Sequence, residues 1–163
     1  MTELSVLSVF GEDLPGDKAW QLLEWCRSRG ADEFTLFGIV CEGSSDAPIR
    51  EFDRLAEPFC RGRASRRHLS GPAGKGLIYE TDLFELNSQT ISALRVAFPQ
   101  GIFEYYPAAS AWFEDLEVFR AEEMMLGVIT HEHEGVLRVS PEERALLDKA
   151  GIAYRLKGEW VGY

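Results

Sequence analysis

The amino-acid sequence predicts a single α+β domain over residues 1–163, with a mixed or mostly antiparallel sheet and about four helices packed mainly on one face. Strand-type and helix-type segments alternate through the first half of the chain. The second half holds a β meander followed by one well-signalled helix, a succession typical of an α+β fold. A length of 163 residues fits one domain, since most domains hold about 100–150 residues.

The first three elements are predicted from hydrophobic periodicity and helix-end signals. Residues 4–10 alternate apolar and polar side chains, as a half-buried strand does. Asp17 is expected to cap a helix that runs to about Arg29, where Gly30 ends it. Residues 33–41 are rich in β-branched and aromatic side chains, which indicates a central strand.

The next elements continue the alternation of helices and strands. Apolar residues between 49 and 59 recur at helical spacing, with a break at Pro58. Residues 77–86 have the composition of a strand. Asn87 or Ser88 can cap a further helix over about 89–98.

The second half is predicted to contain four strands and a helix. Residues 101–107 are expected to form a strand, and 116–132 a hairpin with a tight charged turn. A short strand over 136–140 completes the meander. The final helix starts at Ser140, with a capping box completed by Glu143, and residues after it form an extended tail or edge strand.

Net charge indicates the class of partner, and cysteine usage indicates the cellular compartment. The formal net charge is −10, from 17 basic and 27 acidic residues, so nucleic-acid binding is disfavoured and a basic protein partner is favoured. No stretch approaches the roughly 18 apolar residues of a membrane span, and no signal peptide is recognisable. The three cysteines form no CxxC pair, so we expect a reducing, cytoplasmic location.

A basic segment interrupts this acidic chain. Residues 61–76 are predicted to form an exposed loop that could clamp an anion or an acidic partner surface, or simply be a solvated loop that balances the acidic surfaces. It is not a phosphate-binding loop, because Leu69 and Gly76 stand where that motif needs glycine and Ser/Thr. Its basic residues are Arg61, Arg63, Arg66, Arg67 and Lys75.

The segment THEHEG, residues 130–135, holds two histidines. On a continuous strand His131 and His133 would share one face, where a pair of imidazoles can bind zinc. The favoured alternative is the polar rim of a hairpin, with Gly135 supplying a positive φ angle at the turn. Candidate third ligands for the metal interpretation are His68, Asp115 and Glu117.

Acidic and aromatic residues are concentrated in the predicted meander. Aromatic side chains are effective interface anchors, and acids around them steer basic partners. We therefore predict a partner-binding surface made of Trp112, Phe113, Glu114, Asp115, Glu117, Glu122 and Glu123.

These features favour a non-catalytic protein-binding domain without a cofactor. The sequence contains no GxSxG or GxGxxG motif. In size, acidity and aromatic content the chain is similar to the small acidic immunity proteins with which bacteria neutralise basic toxins. That resemblance implies an inhibitor of a basic toxin or enzyme, which blocks the substrate cleft through residues such as Trp112, Glu114, Asp115 and Glu117.

Two other functions remain open at this point. A small metal-binding domain or metal-dependent hydrolase would use His131 and His133 with zinc. An acidic structural subunit that forms homo-oligomers would use the same aromatic surface for self-association.

Overall fold

The protein is an α+β fold built on one antiparallel sheet, in agreement with the predicted fold class. The computed structural model describes residues 4–43, 45–67, 78–104 and 111–156. Within them the sheet has eight strands in the order β3-β4-β2-β5-β6-β7-β1-β8, and helices pack against it. The strands are β1 (Ser5–Phe10), β2 (Glu33–Val40), β3 (Cys60–Arg67), β4 (Ile78–Glu85), β5 (Ala111–Arg120), β6 (Glu123–Ile129), β7 (Glu134–Val139) and β8 (Arg155–Leu156).

Four α-helices lie in the described residues, and their ends follow local signals. The helices are α1 (Lys18–Ser28), α2 (Ala47–Ala56), α3 (Ser88–Ala97) and α4 (Pro141–Ala150). Asn87 and Ser140 each form a capping box at the start of α3 and α4, which satisfies backbone N–H groups of the first turn. Gly151 ends α4 in the left-handed conformation, at φ 65°.

One predicted cap behaves differently. Asp17 precedes α1, but its side chain makes no capping hydrogen bond. Its carboxylate accepts a hydrogen bond from Arg95 of α3 instead, at 3.1 Å. The carboxylate therefore links two helices rather than closing one.

The core lies on the sheet face whose alternate side chains are apolar. Leu7, Leu126 and Leu137 are fully buried there. Phe52 of α2 packs edge-on against Phe84 and Phe113, with ring centroids 5.5 and 4.9 Å away. Edge-to-face contacts of this kind stabilise aromatic clusters beyond simple area burial, and here they attach α2 to β4 and β5.

The prediction of a loop over 61–76 is wrong for residues 61–67, which belong to the sheet-edge strand β3. β3 pairs with β4 so that Arg63 lies opposite Asp82 and Ser65 opposite Glu80. Ser65 Oγ donates to the Glu80 carboxylate at 2.5 Å. Polar and oppositely charged cross-strand pairs stabilise a strand whose own sequence has little β propensity. Residues 68–76 lie outside the described residues.

The predicted strand over 101–107 is also wrong for its first part. Residues 101–104 form a turn in which Gly101 has φ 132°. Glu104 N donates to Gly101 O at 3.0 Å, which closes the turn. Ile102 and Phe103 are buried, so the hydrophobicity of the segment reflects burial rather than an extended backbone. Residues 105–107 are outside the described ranges.

Across the described part of the chain, no helix is long and apolar enough to cross a membrane.

Candidate functional site

The predicted acidic and aromatic surface on β5 is largely interior. Phe113 and Asp115 are 5% exposed and Glu117 is 2% exposed. Phe113 belongs to the aromatic core described above. These three side chains are therefore largely inaccessible in this structure, and the partner-binding role predicted for them stays a prediction.

The other predicted residues of this surface are accessible but separate. Trp112 and Glu114 are half-buried, and the Trp112 indole N–H donates to the Glu114 carboxylate at 2.7 Å. Glu122 and Glu123 are exposed at the β5–β6 turn, at the opposite end of β5. The structure does not join these four residues into one continuous surface.

The basic residues of β3 are partly engaged within the protein. Arg61 and Arg63 are exposed, as predicted. Arg61 contacts Glu33 at 3.0 Å and Glu85 at 3.5 Å, so acidic groups of β2 and β4 already bind its guanidinium. The structure does not describe the side chains of Arg66 and Arg67 or any part of Lys75.

The segment THEHEG does not continue strand β6. Residues Thr130–Glu132 form a 3₁₀ turn, and His133 takes the left-handed conformation at φ 56° before β7 begins. The hairpin interpretation is therefore correct, although His133 and not Gly135 supplies the positive φ angle. The alternation that would have placed both histidines on one strand face is broken by this turn.

Gly135 has a different structural role. It lies in β7, opposite Val9 of β1 and Val128 of β6. A Cβ atom at this position would come within 2.8 Å of the Gly127 carbonyl oxygen. The absence of a side chain thus permits the close approach of two strands.

His133 holds three chain segments together. Its Nδ1 atom lies 2.8 Å from the carbonyl oxygen of Phe103. Its own carbonyl oxygen accepts a hydrogen bond from Gly11 N, also at 2.8 Å. His133 thereby connects the β6–β7 turn with the 101–104 turn and with the 3₁₀ turn Gly11–Asp13 that follows β1.

His131 meets a different set of groups. Its imidazole and the carboxylates of Glu114 and Asp115 offer ligand atoms that all lie within 4.8 Å of one another. Asp115 sits at a β-bulge with φ 55°, and Thr130 N donates to its carboxylate at 2.9 Å. Asp115, proposed from the sequence as a third ligand, thus does lie near His131, whereas no such three-residue group in the described chain contains His133.

An acidic groove opens beside His133, where three chain turns meet. Its volume is about 470 Å³. It is bounded by the turn after β1, the 101–104 turn and the β6–β7 turn, and its lining residues are Phe10, Gly11, Glu12, Glu104, Glu132 and His133. Sequence reasoning missed Glu12 and Glu104 because they are far from each other and from Glu132 along the chain.

Three carboxylates line this groove, those of Glu12, Glu104 and Glu132. Partial burial raises the pKa of Glu134, and a hydrogen bond with Glu132 and the charge of Glu132 raise it further. Arg155 offsets part of the acidity, since it contacts Glu12 at 2.6 Å and Asp13 at 2.8 Å. Among the described residues no lysine or arginine forms an ion pair with Glu104 or Glu132.

A second groove, between α1, α3 and the end of α4, is electrically more balanced. Its volume is about 440 Å³. Arg95 lies over the ring of Trp20, 4.6 Å from its centroid, and forms an ion pair with Asp17. Because Arg95 and Asp17 already form an ion pair with each other, they are less available to a charged ligand in this groove.

No protein-family model matches this chain, and the searches of curated proteins and of solved structures found no match either.

Proposed function

We propose that this chain is a non-catalytic protein-binding domain that recognises a basic partner through the acidic groove. The observation that carries the proposal is the position of Glu104 and Glu132. Both line the groove, and neither has a lysine or arginine partner in the described residues. Carboxylates in such a position bind a lysine or arginine side chain through charge-assisted hydrogen bonds.

The protein itself contains an example of this chemistry. Arg155 binds the carboxylates of Glu12 and Asp13, and its guanidinium lies over the ring of Phe10 at 4.2 Å from the centroid. A guanidinium is thus held by acids and an aromatic ring at the edge of the groove, through ion pairing and a cation–π contact. A partner's basic side chain would find the same kinds of group next to it at Glu104 and Glu132.

The acidity of the whole chain supports the same partner class. A net charge of −10 attracts a basic protein before the two surfaces touch. An immunity-type inhibitor of a basic toxin or enzyme is one form of this function. Binding in the cytoplasm is part of the proposal, supported by the free thiols of Cys26, Cys41 and Cys60.

The test compares baits that differ only in where charge is reversed. Wild-type protein, Glu104→Lys/Glu132→Lys and Glu122→Lys/Glu123→Lys are immobilised and incubated with a lysate of the native host. Bound proteins are eluted with salt and quantified by mass spectrometry. Both double variants change the net charge equally, so only the location of the reversal distinguishes them.

We expect a basic protein that the wild type and the Glu122/Glu123 variant retain and the Glu104/Glu132 variant loses. With that partner purified, the groove variant should bind about 10-fold or more weakly at low salt, because two attractive contacts become repulsive. The difference should shrink at high salt. Equal retention by both variants, or a partner without basic character, would contradict the groove as the binding site.

A further inference from the structure

We propose that His131, Glu114 and Asp115 form a binding site for a divalent transition-metal ion, with zinc as the probe of choice. The three ligand atoms come from β5 and from the turn after β6, and they lie within 4.8 Å of one another. One imidazole and two carboxylates are a donor set that suits zinc and related ions.

The donors lie close enough to bind such an ion once their side chains move together. Zinc binds nitrogen and oxygen ligands tetrahedrally at roughly 2.0–2.2 Å, so two of its ligand atoms are about 3.3–3.6 Å apart. The three ligand atoms lie within 4.8 Å of one another, so they must approach by up to roughly 1.2–1.5 Å. The side chain of His131 is 46% exposed and Glu114 is half-buried, so both have room to close this gap.

Groups outside the triad orient two of its ligands. The Trp112 indole N–H donates to Glu114 Oε1 at 2.7 Å. Thr130 N donates to Asp115 Oδ1 at 2.9 Å, and Thr130 Oγ1 in turn accepts from Asp115 N at 2.8 Å. Hydrogen bonds of this kind fix the orientation of metal ligands and reduce the ordering cost of binding.

The like charges of the two carboxylates also suit a cation. Glu114 and Asp115 are neighbours in the chain, and a nearby positive charge favours the ionised form of both. In the described part of the chain Glu114 forms no ion pair with a lysine or arginine. A metal ion would neutralise the repulsion and leave a coordination position for water or for a group from a partner.

The experiment is a calorimetric titration of the full chain with zinc chloride after treatment with EDTA. Visible absorption after addition of Co²⁺ reports directly on the ligand geometry. The variants are His131→Ala and Glu114→Gln, with His133→Asn as the matched control from the same segment. Asparagine is chosen because it tolerates the left-handed backbone at position 133. Thermal unfolding of each metal-free variant checks that the fold is intact.

We expect about one zinc ion per chain for the wild type and for His133→Asn, and at least about 10-fold weaker binding for His131→Ala and Glu114→Gln. Trp112→Phe tests the positioning role of the indole and should weaken binding up to about 10-fold. Substoichiometric binding, or equal affinity in His131→Ala, would overturn the proposal. Loss of binding in a His133→Asn protein whose thermal unfolding is unchanged would do so as well, because it would indicate a site that contains both histidines.

This proposal and the basic-partner proposal fail independently. The groove test changes Glu104 and Glu132, whereas the metal test changes His131 and Glu114.

Discussion

At the scale of single residues, the Asp115–Thr130 pair determines the geometry of the metal-binding triad. Asp115 has φ 55°, a left-handed conformation that is costly for most non-glycine residues and less so for aspartate. Two buried hydrogen bonds with Thr130 offset this cost. The bulge directs the carboxylate of Asp115 towards His131, in a position that regular strand alternation does not provide.

Arg120 and Glu143 form a second residue-scale feature, a partly buried ion pair. Arg120 donates hydrogen bonds to the Glu143 carboxylate and to the carbonyl oxygen of Arg29, so it connects β5 with α4 and the end of α1. Partial burial raises the pKa of Glu143, but the hydrogen bond from Arg120, the hydrogen bond to the Ser140 backbone and the charge of Arg120 together lower it below its usual value.

We predict that Glu143→Gln makes stability less dependent on acidic pH. A carboxyl group whose pKa is lowered in the folded state stabilises the fold above its unfolded pKa, and loses this contribution as pH falls through the folded pKa. The variant should lose roughly 1–3 kcal/mol of unfolding free energy at pH 7. The loss should fade below about pH 4, where the unfolded carboxyl is protonated.

Urea unfolding of both proteins between pH 3 and pH 8 measures this effect. Glu142→Gln is the control, since Glu142 is an exposed neighbour in the same helical turn and should change stability much less. A pH-independent difference between wild type and Glu143→Gln would contradict the ionic origin of the effect.

At the scale of elements, the β5–β6 hairpin has an unusual turn sequence. Ala121 and Glu122 connect Arg120 to Glu123 with φ 48° and 68°. Both central residues of a type I′ turn need positive φ, which is why Asn-Gly is its preferred sequence. Ala-Glu therefore forms this turn under strain.

We predict that Glu122→Gly stabilises the protein by about 1 kcal/mol, because glycine adopts positive φ without a steric penalty. Glu123→Gly is the matched control. Position 123 begins strand β6, where glycine weakens a strand, so this variant should be less stable than the wild type. Denaturant midpoints measure both changes. A destabilised Glu122→Gly variant would show that the side chain of Glu122 makes a contact worth more than the strain.

Element boundaries differ in how well local sequence predicts them. The capping boxes at Asn87 and Ser140 act within three residues, so the starts of α3 and α4 were predicted correctly. Strand β3 was missed because its stability comes from acidic residues of β4, more than ten positions away along the chain. A cross-strand partner is not visible in the strand's own composition.

At the scale of the whole molecule, the two ends of the chain are joined in one sheet. β1 lies between β7 and β8, so the first strand pairs with two of the last three strands. This arrangement closes the sheet through contacts between segments that are distant along the chain. We therefore predict that residues 1–163 unfold as one cooperative unit.

Far-UV circular dichroism and tryptophan fluorescence during urea unfolding test this cooperativity. Trp20 and Trp25 report on α1, and Trp112 reports on β5. The two signals should give one midpoint. Leu7→Ala should cost roughly 2–5 kcal/mol of unfolding free energy and lower the midpoint equally for both signals. Two separate transitions would show that the chain contains more than one folding unit.

Local sequence was sufficient to predict the α+β class, the four helices and the hairpin around residues 121 and 122. These features depend on periodicity, helix caps and a short charged segment between two strand-like segments, which act over a few positions and are readable in one chain. The acidity that favours a basic partner is likewise a property of composition, since net charge does not depend on the fold.

The two proposed sites depend on tertiary structure. The burial of Phe113, Asp115 and Glu117 depends on segments that are distant along the chain, such as Phe52 of α2, which packs against Phe113. Glu104 and Glu132 meet in the groove, and His131 joins Asp115, because strand pairing brings together turns that are distant along the chain. The register of paired strands decides which of these side chains lie together. A one-residue shift or a bulge reverses which side chains are exposed.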